Sequence, residues 1–147
     1  MLHSTVQTRY YQHRTRQTQK LSVFCICSGR MYFRSNSSVL SAEAGDCVLL
    51  KPHCRNDFLY ADERQCSYYE FILTGNMLDE FLRIYDLEQV FGLKLNDEKF
   101  FRKLFERMKN LTDVKPLSAI FPELTGVAFE LLQRISSAVQ IQARSSY

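Results

Sequence analysis

The sequence predicts an α+β protein in which a small barrel or sandwich of short strands is followed by helices. Two patterns predict this order. Residues 21–75 consist of short apolar runs separated by turn residues, which is typical of strands spaced about 8 to 12 residues apart. From residue 76 onward, apolar residues recur at the i, i+3 and i+4 spacing of amphipathic helices. With 147 residues, 46% of them hydrophobic, the chain is long enough for one domain with a buried core.

Tight turns separate the predicted strands. Ser-Gly-Arg at 28–30 suits a hairpin, and Ala-Gly-Asp at 44–46 and Lys-Pro at 51–52 enclose another short strand. Several strands are apolar on both faces, so one face lines an interior while the other needs a cover, which the helices supply. The predicted strands are residues 21–27, 31–33, 39–40, 47–50, 56–60 and 68–73.

Three helices are predicted after the strands. Asn76 is expected to cap the first helix and Asn96 the second, because asparagine side chains accept hydrogen bonds from the free N–H groups of a first turn. Pro122 suits the first position of the third helix, which runs for about 20 residues. A helix of this length is expected to extend past the barrel and to leave part of its apolar stripe for a partner chain. The stripe consists of Leu124, Ala128, Leu131, Ile135 and Val139, and a place for it in the chain's own core is the alternative.

The charges are unevenly distributed along the chain. Residues 1–42 hold six basic and no acidic side chains, whereas the remainder holds 13 basic and 16 acidic ones. Six charges spread over 42 residues do not form a dense basic patch, so we expect no direct contact of this chain with nucleic acid. Residues 1–20 are polar and are predicted to form an N-terminal arm, with a short strand around Tyr10.

The sequence contains neither an apolar run long enough for a membrane span nor a secretory signal. We therefore expect a cytoplasmic protein with no membrane partner. The odd count of five cysteines favours reduced thiols, mostly buried as small hydrophobic groups, over a disulfide framework. The three histidines are His3, His13 and His53, of which two lie in the arm, and no Cys-x-x-Cys spacing occurs, so no metal, cofactor or catalytic residue is expected.

Four short motifs occur in the order and near the spacing of the N-terminal sensor domain of AraC/XylS-type transcription regulators. They are Ser-Gly-Arg at 28–30, Ala-Gly-Asp at 44–46, Lys-Pro at 51–52, and a hydrophobic run that ends in Thr-Gly at 74–75. The resemblance covers about residues 20–90, and the later helices agree in kind. The chain departs from the pattern at two positions: His53 stands at the usual turn glycine, and Asn56 stands where many members have a histidine.

The resemblance implies a cupin-like β-barrel followed by C-terminal helices. In this arrangement residues 1–20 are the arm, 21–75 the effector-binding barrel and 76–147 a helical region that forms a homodimer. The family's DNA-binding part is a C-terminal pair of helix-turn-helix units of roughly 100 residues, and the sequence ends at Tyr147 before such a part. We expect a sensing and dimerisation domain that binds a small polar effector and contacts DNA only through that absent part.

The last predicted strand carries the candidate ligand site. Its period-two alternation places Tyr68, Glu70 and Ile72 on one face, and the apolar opposite face suits the layer between barrel and helices, so Tyr68 and Glu70 are expected to face the interior. The resemblance places these two residues and Phe58 where sugar-sensing members contact their ligands. The expected ligand-binding residues are Tyr68, Glu70, Phe58, Asn56, Ser28 and Ile72.

The sequence leaves alternatives for this site open. Glu70 can instead pair with Arg30, Arg34 or Arg55 at the rim, and the tyrosines can fill the barrel. A metal-free cupin enzyme, such as a sugar isomerase with Glu70 and Tyr68 as acid and base, is a second function class. A self-association module with a filled barrel is the third.

Overall fold

Two antiparallel sheets form the body of the protein in a computed structural model that describes residues 2–7, 11–12, 19–60, 66–114 and 116–145. The first sheet has the strand order β1-β8-β3-β6-β9 and the second the order β2-β7-β4-β5. All six predicted strands are present, as β3 to β8. The strands are β1 Leu2–Gln7, β2 Tyr11–Gln12, β3 Lys20–Ser28, β4 Arg30–Ser35, β5 Ser38–Glu43, β6 Asp46–Leu50, β7 Asn56–Tyr60, β8 Cys66–Thr74 and β9 Gly92–Lys94.

Strand β3 separates two hydrophobic cores. Six consecutive residues of β3, from Leu21 to Ile26, are buried, which requires cover on both faces. Phe24 and Ile26 belong to a core between the two sheets. Leu21 and Val23 point the other way, into a core that the first sheet shares with the helices. The prediction that these strands are covered on both faces is therefore confirmed.

Three helices cover the outer face of the first sheet. They are α1 Leu78–Ile84, α2 Glu98–Val114 and α3 Leu117–Ser145. Aromatic contacts join α2 to β8, with ring centroids 5.9 Å apart for Phe71 and Phe101 and 5.6 Å apart for Tyr69 and Phe105. The predicted α+β class is confirmed. None of the helices in the described ranges has the length and apolar character that a membrane span needs.

All three predicted helix starts were displaced. Met77, not Asn76, occupies the N-cap of α1, and its side chain makes no capping hydrogen bond. Asn96 has a φ of 53°, and its N–H donates to the carbonyl of Gly45 at 2.9 Å. This hydrogen bond to the turn before β6 holds Asn96 in a left-handed conformation, which asparagine tolerates. Pro122 lies inside α3. The preceding turn contains Ile120, which is only 1% exposed, and its burial favours helix upstream of the proline.

The predicted arm contributes backbone to both sheets. Strand β1 pairs with β8 from Leu2 opposite Phe71 to Gln7 opposite Cys66, and β2 pairs with β7. Hydrogen bonding of an edge strand uses backbone groups alone, so the polar composition of this segment did not reveal β1. Tyr10, around which the arm's strand was predicted, lies outside the described residues.

Two residues of the α3 stripe lie in the chain's own core. Leu131 and Ile135 are both 0% exposed and pack in the core beneath the helices. Leu124, Ala128 and Val139 are half-buried against the same core. Because α3 covers the apolar outer face of the first sheet, Leu131 and Ile135 cannot form the partner contact that was predicted for them.

The five cysteines are free thiols. Cys25 and Cys47 lie directly opposite each other on β3 and β6 and are buried, as is Cys66. Cys27 and Cys54 are half-buried. Burial raises the pKa of the Cys47 thiol above its ordinary value of 9.0, because a thiolate is poorly solvated in an apolar core.

The burial of Leu131 predicts that Leu131→Ala lowers the free energy of unfolding by about 2 to 5 kcal/mol, since the substitution leaves a cavity in a packed core. Chemical denaturation measures the change. Ile84→Ala is the matched control, because Ile84 is 66% exposed, and we expect it to stay within about 0.5 kcal/mol of wild type. Equal effects of the two variants would contradict the placement of α3.

The buried Cys47 thiol predicts a loss of stability in alkali. Its folded pKa is raised, so the stabilisation is complete below its ordinary pKa of 9.0 and falls as the pH rises above that value. Under reducing conditions, the slope of unfolding free energy against pH should be shallower in Cys47→Ala than in wild type by about 1.4 kcal/mol per pH unit above about pH 9.5. Cys54→Ala controls for removal of a half-buried thiol, and an unchanged slope in Cys47→Ala would refute the prediction.

Candidate functional site

Strand β8 presents its polar residues to the space between the two sheets. Tyr68 lies in the core between the sheets, and strand alternation places Glu70 and Ile72 on the same face. These three side chains are 3%, 3% and 9% exposed, respectively. Phe71 and Leu73 point to the helices. The two faces of β8 are therefore arranged as the sequence predicted.

An aromatic cluster occupies the middle of the interior. The ring of Phe24 on β3 lies 5.0 Å from Phe33, 5.2 Å from Phe58 and 5.4 Å from Tyr68, measured between centroids. Phe58 and Tyr68 were expected at the site, whereas Phe24 and Phe33 were missed. The alternation of β3 could have identified Phe24 as an interior residue, but which rings meet across two sheets depends on the register.

Buried polar groups lie on the interior faces of both sheets. Ser22 is 4% exposed and pairs with Ile72, and Asn56 is 8% exposed on the face of β7 that also carries Phe58. The amide nitrogen of Asn56 donates to the carbonyl of Lys51 at 3.0 Å. The Asn56 Oδ1 atom is buried and has no hydrogen-bond donor in the described part of the chain. Ser22 was missed, although a serine within a strongly apolar strand is a visible signal.

Lys51 holds the loop beside this end of the barrel. Its ammonium group donates to the carbonyls of Glu88 and Val90, both at 2.8 Å. Burial lowers the pKa of Lys51, because the charged form loses solvation. The sequence also considered Arg30 as a partner of Glu70, but Arg30 pairs with Glu43 at 3.2 Å, across strands β4 and β5.

Ser28 lies apart from the other expected ligand-binding residues. It is exposed, and its hydroxyl lies 2.6 Å from that of Ser67. Ser28 pairs with Ser67 near the start of β8, whereas Ile72 lies near the end of that strand. The register shifts between Ile26 and Ser28, and this irregularity displaces Ser28 from the alternation of β3. The structure does not bring Ser28 to the buried polar groups.

An open cleft of about 620 Å³ lies at the Ile72 end of the barrel. Its lining includes Lys20 and Thr74. These two residues are paired between β3 and β8, two residues along the strands from the pair of Ser22 and Ile72. His53 stands next to it at a φ of 66°, a conformation that explains why a glycine is usual at this turn. The His53 Nε2 atom lies 3.1 Å from Asp79 Oδ2, so the turn after β6 contacts the start of α1.

The interior groups suit recognition of a small ligand. Asn56 Oδ1, the Ser22 hydroxyl and the Glu70 carboxylate can each accept a hydrogen bond from a ligand hydroxyl or ammonium group, and the rings offer apolar contact. Within the described ranges, no group of three or more His, Cys, Asp or Glu side chains is arranged to hold a metal ion.

Comparison with solved structures finds similarity to a ligand-bound protein from a bacterium and, more weakly, to a cupin domain. ToxT from Vibrio cholerae, bound to (E)-4-(8-methylnaphthalen-1-yl)but-3-enoic acid, is similar with a TM-score of 0.51 at 11% identity, over 88% of this chain and 54% of that chain. The cupin domain of Cnp3 from Schizosaccharomyces pombe has a TM-score of 0.39 at 10% identity, over 53% of this chain and 51% of that chain. The chain thus spans about half the length of either structure.

No curated protein matches the chain significantly. The AraC-like ligand binding domain family, in contrast, matches residues 3–142, which is nearly the whole sequence. This match confirms the resemblance that the four motifs carried. The chain therefore belongs to the AraC-like ligand binding domain family.

Proposed function

We propose that this chain senses a small polar effector inside its barrel and thereby controls DNA binding by a helix-turn-helix domain of the regulator. The observation that carries the proposal is the burial of Ser22, Asn56 and Glu70 on the interior faces of the two sheets, which are otherwise apolar. Burying polar groups costs free energy that an apolar filling avoids. Binding sites commonly combine apolar walls with a few such groups.

The accepting groups indicate the chemistry of the effector. Asn56 Oδ1 is buried without a donor in the described part of the chain, and a ligand hydroxyl or ammonium group would supply one. Since Glu70 carries a carboxylate, a polyol or an amine suits the site better than a small acid. The effector would occupy the polar end of the interior, because the rings around Phe24 already pack closely at its middle.

The doubly buried first sheet offers a route from effector to helices. On β3, Phe24 faces the interior while its neighbours Val23 and Cys25 face the helix layer. A shift of β3 or β8 on effector binding would therefore change the surface of the first sheet against which α2 and α3 pack. The effector would stabilise one of two arrangements, which is the physical requirement for control at a distance. No chemical reaction is part of this proposal.

A second candidate function is a self-association module with a filled barrel. The observation that favours it is the close packing of the interior rings, with Phe24 at 0% and Phe33 at 1% exposure. A small barrel can be filled entirely by its own side chains.

Both candidate functions, the effector sensor and the self-association module, involve self-association through α3. With 29 residues, α3 extends for about 43 Å. Ile141 is 65% exposed near its end, and Leu124, Ala128 and Val139 are only half-buried against the core. We propose that these residues, without the buried Leu131 and Ile135, contact a second copy of the chain.

A thermal-shift screen of sugars, polyamines and small acids tests the effector site. At a concentration 100 times its Kd, an effector should stabilise the protein by about 2.7 kcal/mol. Glu70→Gln and Asn56→Leu should each weaken that effector at least about tenfold. Glu70→Gln removes the negative charge and replaces one acceptor oxygen with a donor, and Asn56→Leu removes a buried acceptor. Glu43→Gln, an exposed carboxylate on β5, is the control. An effector shift that survives both interior variants would refute the site, and a screen without any shift would favour the filled barrel.

Sedimentation tests the dimer. The wild-type chain should be dimeric at about 10 μM, and Ile141→Asp should convert it to monomer because a charge would be buried at the interface. Ile84→Asp is the control, since Ile84 is equally exposed but lies on α1. A monomeric wild type, or a dimer that tolerates Ile141→Asp, would contradict the proposal.

A further inference from the structure

A second concave site lies among the helices, on the opposite side of the first sheet from the barrel interior. It is an open groove of about 650 Å³ between the end of α1 and the facing sides of α2 and α3. Because the sheet separates it from Ser22, Asn56 and Glu70, it can act independently of the proposed effector site. Its lining residues are Tyr85, Phe100, Lys103, Leu104, Arg107, Phe129, Glu130, Gln133, Arg134 and Ser137.

The groove has an apolar floor and one aromatic wall. Leu104 is buried at its base, and Tyr85 and Phe100 are half-buried beside it. Phe129 is 37% exposed, and its ring meets the edge of Phe81 with centroids 5.1 Å apart. Apolar surface is thus available to an occupant, on rings that their neighbours already hold in place.

Two ion pairs join the helices at the groove. Arg107 of α2 pairs with Glu130 of α3 at 2.6 Å, and Arg134 of α3 pairs with Asp97 at 3.0 Å, just before α2. The lining of the groove runs from Phe100 to Arg107 on α2 and from Phe129 to Ser137 on α3, or about 10 to 12 Å along each helix. A small molecule can occupy that length, whereas a docking helix of several turns is longer.

The charges of the groove favour an anion. The guanidinium groups of Arg107 and Arg134 each have a carboxylate partner. Lys103 is exposed on the groove side of α2, between Phe100 and Arg107, and its ammonium has no acidic partner within the described part of the chain. The Lys103 ammonium is therefore a positive charge beside the apolar residues at the base of the groove.

We propose that this groove binds a small amphipathic carboxylate, whose apolar body lies on Tyr85, Phe100 and Phe129 and whose carboxylate pairs with Lys103. A volume of about 650 Å³ is within the range of small-molecule sites. The effector proposed for the barrel is rich in hydrogen-bond donors, so the two sites differ in ligand class as well as in place. A ligand in this groove would contact both α2 and α3.

Decanoate is the probe, with decanol as its uncharged counterpart. Titration calorimetry of the full chain below the micellar concentration should detect decanoate binding, and Lys103→Met should weaken it about threefold to fivefold, as expected for an exposed ion pair. Decanol binding should not change in Lys103→Met, because methionine keeps the apolar stem. Phe129→Ser should weaken both probes. Lys99→Met is the control, since Lys99 is an exposed lysine of α2 outside the groove.

Any of the following outcomes would overturn the proposal. Decanoate fails to bind, or binds Lys103→Met as tightly as wild type. Lys99→Met weakens decanoate as much as Lys103→Met, which would indicate nonspecific attraction. Glu70→Gln abolishes decanoate binding, which would place the probe in the barrel. Phe129→Ser dissociates a dimer while decanoate does not bind, which would make the groove a contact between two copies. Decanoate binding that survives Glu70→Gln supports the groove whatever the barrel binds.

Discussion

The structure depends on the first sheet being buried on both faces. In β3, six consecutive side chains are buried and alternate between the core inside the barrel and the core beneath the helices. β8 repeats the arrangement, with Tyr68 facing inward and Phe71 outward. Neither core is complete without this sheet, so the helices and the second sheet are both held by it. Apolar burial of this kind is the main stabilising contribution to folding.

The same constraint gives the buried polar residues their significance. Polar side chains such as Ser22 and Glu70 cost free energy to bury in a sheet with two apolar faces, yet both are almost fully buried in it. They lie on the inner face, where the second sheet contributes Asn56 from the opposite side. A change at these residues acts on strands whose other face supports α2 and α3. The proposed sensing mechanism follows from that shared sheet and requires no separate connection.

Local sequence pattern predicted the parts of the fold that local chemistry controls. The runs from residue 21 to residue 73 became β3 to β8, and the alternation of Tyr68, Glu70 and Ile72 identified their shared face. The parts that were missed depend on distant partners. Strand β9 pairs with β6, and its short sequence has no strong strand pattern of its own. Asn96 was expected as a cap because its residue type suits one, but its backbone is held by Gly45, which is remote in sequence.

The sequence by itself determined the order of strands and helices, the interior position of Tyr68 and Glu70, and the family resemblance through turn motifs. These features follow from residue type and spacing, which act over a few neighbouring residues. Only the tertiary structure decided that Leu131 and Ile135 belong to the chain's own core, that Ser22 and not Ser28 joins the buried polar groups, and that a charged groove lies between α2 and α3. Each of these depends on which surfaces meet across the sheets and helices, and periodicity indicates that a face is apolar without indicating what covers it.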